Sequence, residues 1–226
     1  MQTLSRPAHN RLVPDPSELP RLLPRSPGEA VALDEHLARY GPPPSLGSAG
    51  RAGARLVETV AEVALRGRGG AGFPMALKLA AVAAEHGRSV VVGNGTEGEP
   101  ASSKDKVLLA SSPHLVLDGA VAAAEAIGSH EAVIVSHPVV SEVVRDAVAE
   151  RLRAGIDRVE LRVVDAAAGF VAGEASAVMQ WVERGRPLPR LTPPRLAERG
   201  LGGHPTLVQN VETLAHAGLV SRFGAA

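Results

Sequence analysis

A glycine-rich segment, GRGGAGFP at residues 67–74, is the part of the sequence best suited to holding a phosphate-bearing ligand. Its glycines let backbone N–H groups approach a ligand closely. A predicted helix begins directly after the segment, and a helix N-terminus favours an anion. Arg68 and Lys78 add positive charge. The segment is equally compatible with a plain connector between two helices, so the glycines alone leave both interpretations open.

Gly67, Gly69 and Gly72 match the G-x-G-x-x-G spacing of dinucleotide-binding loops, but their context argues against that function. Such a loop follows a strand, whereas residues 53–66 carry apolar side chains at helical spacing. The strand after the loop also ends in Gly93-Asn94 instead of an acidic residue. We therefore retain the possibility of phosphate binding and reject the dinucleotide motif.

A polar loop at residues 94–99, NGTEGE, carries a second group of ligand-binding side chains. The oxygens of Asn94, Glu97 and Glu99 could accept hydrogen bonds from ribose hydroxyls or from a ring N–H. The two carboxylates could instead bind a cation, or the loop could be a solvated turn. The serines in the following SSKDK segment could cap a short helix.

An alternation of strands and helices must position these two loops. Residues 89–92, 131–135 and 159–164 read as strands, and residues 75–86, 113–127 and 139–153 read as helices between or before them. This βαβαβ pattern predicts the α/β class, with a parallel sheet flanked by helices. Ligands in such sheets bind at the carboxyl ends of the strands. The 93–103 loop leaves the carboxyl end of the first strand.

Composition narrows the function classes. The 226 residues contain 24 Lys+Arg and 24 Asp+Glu, which argues against nucleic-acid binding. Cysteine is absent, so this sequence provides no cysteine ligands for an iron–sulfur cluster. No stretch predicts a transmembrane helix or a signal peptide, so we expect a cytoplasmic protein without membrane insertion. Six prolines within residues 1–30 predict an extended arm, followed by an α/β domain at 31–226.

Seven motifs occur in a specific order: GRGGAGFP, Lys78, N-x-x-E-G-E-P, K-D, G-E, P-R-L-x-P-P and G-x-P-T-x-x-x-N-V-E-T. Together they resemble the FMN-binding domain of the NADH-oxidising flavoprotein subunit of respiratory complex I. They are equally similar to the diaphorase subunits of NAD-dependent hydrogenases and formate dehydrogenases. The resemblance runs from about residue 31 to the end and implies a Rossmann-like sheet that binds FMN and oxidises NADH or NADPH.

The resemblance also implies site residues. Flavin binding falls on Gly67, Gly69, Gly70, Lys78, Asn94, Glu97, Phe170, Gly173, Glu174, Val208, Gln209, Asn210 and Thr213. Nucleotide binding falls on Phe73, which would stack on the adenine, and on Glu99 and Arg195. No metal site and no catalytic group other than the flavin is implied.

Departures from the family pattern fall mainly on the nucleotide side. Ala175 replaces a glutamate, Thr192 a lysine and Arg195 an aromatic residue. The ubiquitin-like and iron–sulfur domains of the family are not in this sequence. Either the sequence is a fragment, or a partner protein or subunit carries the cluster, or electron transfer is not its function. Two alternatives remain: a non-catalytic FMN-binding or assembly module, and an unrelated phosphate-binding α/β domain.

Overall fold

The computed structural model describes residues 22–24, 30–43, 49–99, 101–191 and 194–225, without the side chains of 49–52 and Phe170. Most of the predicted proline-rich arm at 1–30 therefore lies outside the described residues. Within them, a sheet is formed by β1 (Val90–Gly95), β2 (Glu131–Ser136), β3 (Glu160–Asp165) and β4 (Thr206–Asn210). All neighbouring strands are parallel. The predicted α/β class with a parallel, helix-flanked sheet is confirmed.

Eight α-helices are found in the described part of the chain: α1 (Leu33–Tyr40), α2 (Ala49–Glu62), α3 (Met75–Ala83), α4 (Lys104–Ser111), α5 (Pro113–Ala126), α6 (Pro138–Ala154), α7 (Ala175–Arg184) and α8 (Val211–Phe223). Two 3-10 helices cover Phe170–Gly173 and Leu201–Gly203. No single described helix is long and apolar enough to cross a membrane. Only α4 and α5 together pass that test, and they are bent by 97°.

The order of the strands is β3-β2-β1-β4, so β4 pairs with β1 on the side opposite to β2. We did not predict β4, because the proline-rich sequence at 185–206 reads as irregular and leaves only a short apolar run after it. Its position matters for function. After β1 the chain adds β2 and β3 on one side of β1, and it then adds β4 on the other side. The crevice at such a switch point is where α/β sheets bind ligands.

Side chains alternate between the two faces of the sheet and contribute to two clusters of buried residues. Val91, Ile134 and Leu207 pack with the helices α2, α3, α5 and α8 on one face. Val92 and Val133 pack on the other face against α7. The packing of α5 on α8 is so close that a Cβ on Gly119 would lie 1.7 Å from the carbonyl oxygen of Leu214.

Candidate functional site

The glycine loop at residues 67–73 is closed at its base by backbone hydrogen bonds. The Gly67 N–H donates to the Phe73 carbonyl at 2.9 Å, and the Met75 N–H donates to the Leu65 carbonyl at 2.9 Å. Gly70 and Gly72 have φ values of 102° and 60°, which residues other than glycine rarely adopt. The loop is therefore a defined backbone structure directly before the N-terminus of α3.

A cavity of about 320 Å³ lies beside this loop at the carboxyl ends of β1 and β4. We call it the switch-point cavity. It brings together most of the residues that the sequence implied for flavin binding. Its lining comprises Gly67, Gly69, Ala71, Gly72, Phe73, Lys78, Asn94, Gly173, Glu174, Ala175, Val208, Gln209 and Asn210.

Gln209 has an unusual side chain within this cavity. The residue is only 1% exposed, yet neither its amide nitrogen nor its amide oxygen has a hydrogen-bond partner. Buried polar groups are almost always paired, since leaving one unpaired costs about 1–3 kcal/mol. An amide that is buried, unpaired and lining a cavity is suited to bind a ligand that offers both a donor and an acceptor.

Lys78 projects from α3 into the same cavity. Its Nζ donates to the carbonyl oxygen of Val208 at 3.2 Å, which links the glycine-loop side of the cavity to β4. Burial lowers the pKa of Lys78. Since an anion beside the ammonium would oppose that effect, the cavity favours a negatively charged group near Nζ.

Asn94 and the 173–175 segment form the opposite wall. The Asn94 side chain donates from Nδ2 to the carbonyl oxygen of Gly173 at 2.9 Å. Glu174 is the N-cap of α7, where its carboxylate accepts hydrogen bonds from the N–H groups of Ser176 and Ala177. Its role in the structure is to begin the helix, as expected of an acidic residue at that position.

Glu97 lies outside the switch-point cavity and caps α4. Its carboxylate accepts hydrogen bonds from the backbone of Asp105 at 2.9 Å and Lys106 at 3.1 Å, and from Ser102 Oγ at 2.7 Å. Burial alone would raise the pKa of Glu97, but these hydrogen bonds outweigh it and hold the pKa below its usual value. The expected serine cap is wrong, because Ser103 makes no side-chain capping bond.

A second cavity of about 520 Å³ contains both Glu97 and Glu99. We call it the loop cavity, and its lining comprises the 96–99 loop, Lys106, His137, Pro138 and the small residues at 166–169. It adjoins the switch-point cavity, because a Cβ on Gly173 would lie 2.9 Å from Thr96 Oγ1. Gly173 lines the first cavity and Thr96 the second, so the two cavities lie next to each other at this pair of residues.

Four further implied residues are not in the lining of the switch-point cavity. Thr213 is buried on α8 and accepts a hydrogen bond from the Arg68 N–H at 2.8 Å, so it supports the glycine loop from behind. Gly70 lies in that loop. Arg195 is exposed and pairs with Glu198 at 3.4 Å. The side chain of Phe170 is outside the described residues.

Other residues of the site were not singled out from the sequence. Ala71 lines the switch-point cavity, and only its place within the glycine-rich segment could have indicated it; Gly72 and Ala175, noted in the sequence but not assigned to the flavin, line it as well. Asp105 contacts the cavity residue Asn210, with 2.6 Å between Asp105 Oδ2 and Asn210 Nδ2. The K-D motif contains Asp105, but it gave no indication of that contact.

The site can be compared with known proteins. The family model described as the Nuo51 FMN-binding domain matches residues 60–218, which include the glycine loop, both cavities and β4. The chain belongs to this family. The match covers more than half of the sequence and agrees with the resemblance drawn from the seven motifs.

Relatives of the chain are subunits of redox enzymes. An NADH-quinone oxidoreductase subunit from Aquifex aeolicus is 34% identical over 182 residues, covering 75% of this chain and 42% of the relative. The alpha subunit of the NAD-reducing hydrogenase HoxS from Cupriavidus necator is 35% identical over 186 residues, covering 76% of this chain and 31% of the relative. The chain thus spans less than half the length of these relatives.

A solved structure also matches. The crystal structure of an NAD+-reducing NiFe-hydrogenase in the air-oxidized state has a TM-score of 0.71 and 36% sequence identity. The match covers 76% of this chain and 31% of the hydrogenase chain. The two chains therefore share a fold over the matched residues.

Proposed function

We propose that this chain binds FMN in the switch-point cavity and serves as a redox module. The single observation that carries the proposal is the buried, unpaired amide of Gln209 inside a cavity formed by family residues. The flavin ring offers adjacent carbonyl and N–H groups, which match an amide that needs both an acceptor and a donor. Membership of a family of FMN-binding domains supports the same ligand.

The remaining cavity residues fit the other parts of FMN. The glycine loop offers backbone N–H groups without side chains in the way, and Lys78 adds a half-buried positive charge for the phosphate. Asn94 Oδ1 accepts from the N–H and hydroxyl of Thr96, and one Nδ2 hydrogen is donated to Gly173, so the second Nδ2 hydrogen is the part of this side chain left for a ligand.

A bound FMN would supply the chemistry of taking up a hydride and releasing electrons one at a time. The protein residues would bind it, orient it and shield it from water. A nicotinamide nucleotide is the proposed donor, since relatives are named as NADH-quinone oxidoreductase and NAD-reducing hydrogenase subunits. We propose that a partner with an iron–sulfur cluster accepts the electrons, since the relatives are named as subunits of oxidoreductase and hydrogenase enzymes.

A flavin-binding module that reacts poorly with NADH is the second candidate. Ala175 lines the switch-point cavity where the family pattern has a glutamate, and Arg195 lines neither cavity. Each lost charged hydrogen bond weakens binding by about 1.5–3 kcal/mol, or about ten- to a hundredfold in affinity. Glu99 is retained in the adjoining loop cavity and is the residue that would contact the nucleotide.

The test is a flavin titration followed by anaerobic addition of NADH and, separately, NADPH. Quenching of FMN fluorescence gives the Kd, and bleaching of the flavin absorbance band reports hydride transfer. FMN binding with rapid bleaching supports the redox module, and binding without bleaching supports the second candidate. Glu99→Gln should slow bleaching and leave the Kd for FMN unchanged. A protein that binds no FMN at all would contradict both functions.

A further inference from the structure

The first turn of α4 joins three parts of the site. Glu97, from the loop after β1, caps this turn through the N–H groups of Asp105 and Lys106. Asp105 itself is 3% exposed, and its Oδ2 accepts a hydrogen bond from Nδ2 of Asn210, at the end of β4, at 2.6 Å. The α4 helix therefore connects the carboxyl ends of the two strands that flank the switch-point cavity.

All the hydrogen-bonding capacity of the Asn210 amide is used within the protein. Its Nδ2 donates to Asp105 and to the carbonyl oxygen of Asn94 at 3.2 Å. Its Oδ1 accepts from the Glu212 N–H at 3.0 Å and from Lys104 Nζ at 3.0 Å. An amide has two donor hydrogens and two acceptor lone pairs, so this side chain has none left for a ligand.

Asp105 makes the shortest of the four hydrogen bonds that set the orientation of this amide. Burial raises the pKa of Asp105, but its Oδ1 pairs with Lys104 Nζ at 2.6 Å, which favours the ionised form. An ionised carboxylate can only accept hydrogen bonds, so it requires the NH₂ group of Asn210 to face it. The amide oxygen then points at the N-terminus of α8, which it caps. If the amide were rotated by 180°, its oxygen would face the Asp105 carboxylate and its NH₂ group would face the N–H of Glu212.

The first turn of α8 connects the Asn210 cap to the glycine loop through side-chain contacts. Thr213 accepts a hydrogen bond from the Arg68 N–H at 2.8 Å, and Glu212 pairs with Lys104 at 3.1 Å. A shift of the Asn210 cap would displace the start of α8 and with it the support of the loop. Gln209, adjacent to Asn210 on β4, would change its position as well.

We propose that Asp105 is a positioning residue for FMN binding, which acts by fixing the orientation of the Asn210 amide. Asp105 does not touch the ligand in this arrangement. It holds the ends of β1 and β4, and through α8 the glycine loop, in the geometry that aims Gln209 and the loop backbone into the cavity. The inference rests on the proposed function, because its consequence is measured on FMN.

Three variants test this role with the Kd for FMN, measured by fluorescence quenching. Asp105→Leu cannot accept the bond from Asn210, so the Kd should rise at least about tenfold. Asp105→Asn keeps an oxygen that can accept it, so the Kd should stay within about threefold of the wild type. Val144→Ala, which removes buried methyl groups from α6 and lines neither cavity, should lower the melting temperature without changing the Kd.

A second readout follows the amide directly. In ¹⁵N NMR spectra of the FMN-free protein, the two Nδ2 protons of Asn210 should exchange slowly with water in the wild type and in Asp105→Asn. They should exchange rapidly in Asp105→Leu. If Asp105→Leu does not fold, Asp105→Ser takes its place, because its shorter side chain withdraws the oxygen from Asn210.

The outcomes separate this inference from the proposed function. If the wild type binds no FMN, both fail. If the wild type binds FMN and the folded Leu or Ser variant binds it with the same Kd, only the role of Asp105 is overturned. An equal loss of affinity in Asp105→Asn and Asp105→Leu would also overturn it, since the charge and not the amide orientation would then control binding.

Discussion

Two regions of this molecule bury polar side chains, and they do so in opposite ways. In the switch-point cavity, the Gln209 amide has no partner and glycines leave the backbone open. Elsewhere, Asp118 on α5 forms hydrogen bonds with His36, Arg151 and Arg222 from three other helices, and we call this the Asp118 cluster. Its members are His36, Asp118, Arg151, Asp157 and Arg222, and none of them lines either cavity.

The charges of the Asp118 cluster are paired within the protein. Asp118 accepts from Arg151 at 3.0 Å, from Arg222 at 2.6 Å and from His36 at 2.8 Å, and each of these side chains is at most 2% exposed. Burial alone would raise the pKa of Asp118. The hydrogen bond from His36 and the positive charges nearby outweigh that effect and lower it.

The difference in pairing indicates that the Asp118 cluster stabilises the fold, whereas the switch-point cavity is suited to bind a ligand. Arg222 also donates to the carbonyl oxygens of Gly41 and Pro42, so the cluster ties the end of α1 to α8. A paired network of this kind holds helices together and has nothing to offer a ligand. A buried amide without a partner is expected to lower the stability of the ligand-free protein, and a bound FMN would offset that cost by supplying a donor and an acceptor.

The largest expected effect comes from breaking the Asp118 cluster. Asp118→Ala leaves Arg151 and Arg222 buried without their shared carboxylate, which should lower the free energy of unfolding by about 3–5 kcal/mol. Urea denaturation followed by circular dichroism measures the change. A loss below about 1 kcal/mol would mean that the cluster is not a scaffold and would remove one side of the comparison.

The free energy of unfolding should vary with pH because of His114, which lies beside the Asp118 cluster. His114 is packed against His36, and burial together with the charge of Arg151 lowers the pKa of His114 to about 4. The unfolded chain binds this proton near pH 6.5, so stability should fall as the pH drops from about 6.5 to about 4, by up to about 3 kcal/mol. His114→Gln should flatten this slope, whereas substitution of the exposed His130 by Gln should leave it unchanged.

Filling the cavity should separate folding from binding. A Cβ on Gly69 would meet only the Cβ of Asn210, at an ordinary 3.5 Å, so Gly69→Val should fold. FMN at about a hundred times its Kd should stabilise the wild type by about 2.7 kcal/mol, and the valine should abolish that gain. Thermal melts with and without FMN measure it. Ala84→Val, at the exposed end of α3, is the control that should keep the full shift.

The smallest effect should come from Gln209 itself, and it should have opposite signs in the two assays. Gln209→Leu removes an unpaired buried amide, so stability without FMN should stay constant or rise. The Kd for FMN should increase about tenfold, which corresponds to about 1.4 kcal/mol. Gln180→Leu is the matched control, because the Gln180 amide is already bonded to the carbonyl of Leu188. Loss of stability in Gln209→Leu would show that its amide has a partner within the protein.

Much of this arrangement could be predicted from the sequence. Apolar segments that alternate between strand and helix length indicate the α/β class, and β1, β2 and β3 lie where those segments predict them. The glycine loop and the N-V-E-T motif are each an unbroken stretch of sequence. Their resemblance to a flavoprotein family could therefore be recognised without a structure. Local patterns suffice for features whose residues are neighbours along the chain.

The tertiary structure decided which of these residues face a ligand. Gln209 and Asn210 are adjacent in sequence and carry the same functional group. Because β4 pairs with β1, the Gln209 amide lies unpaired at the cavity, whereas the NH₂ group of Asn210 donates to Asp105 and Asn94. The contacts that His36, Asp118 and Arg222 make in the Asp118 cluster likewise join residues that are 33 to 186 positions apart. No sequence spacing indicates such contacts, because they depend on the order of strands in the sheet and on how the helices pack against it.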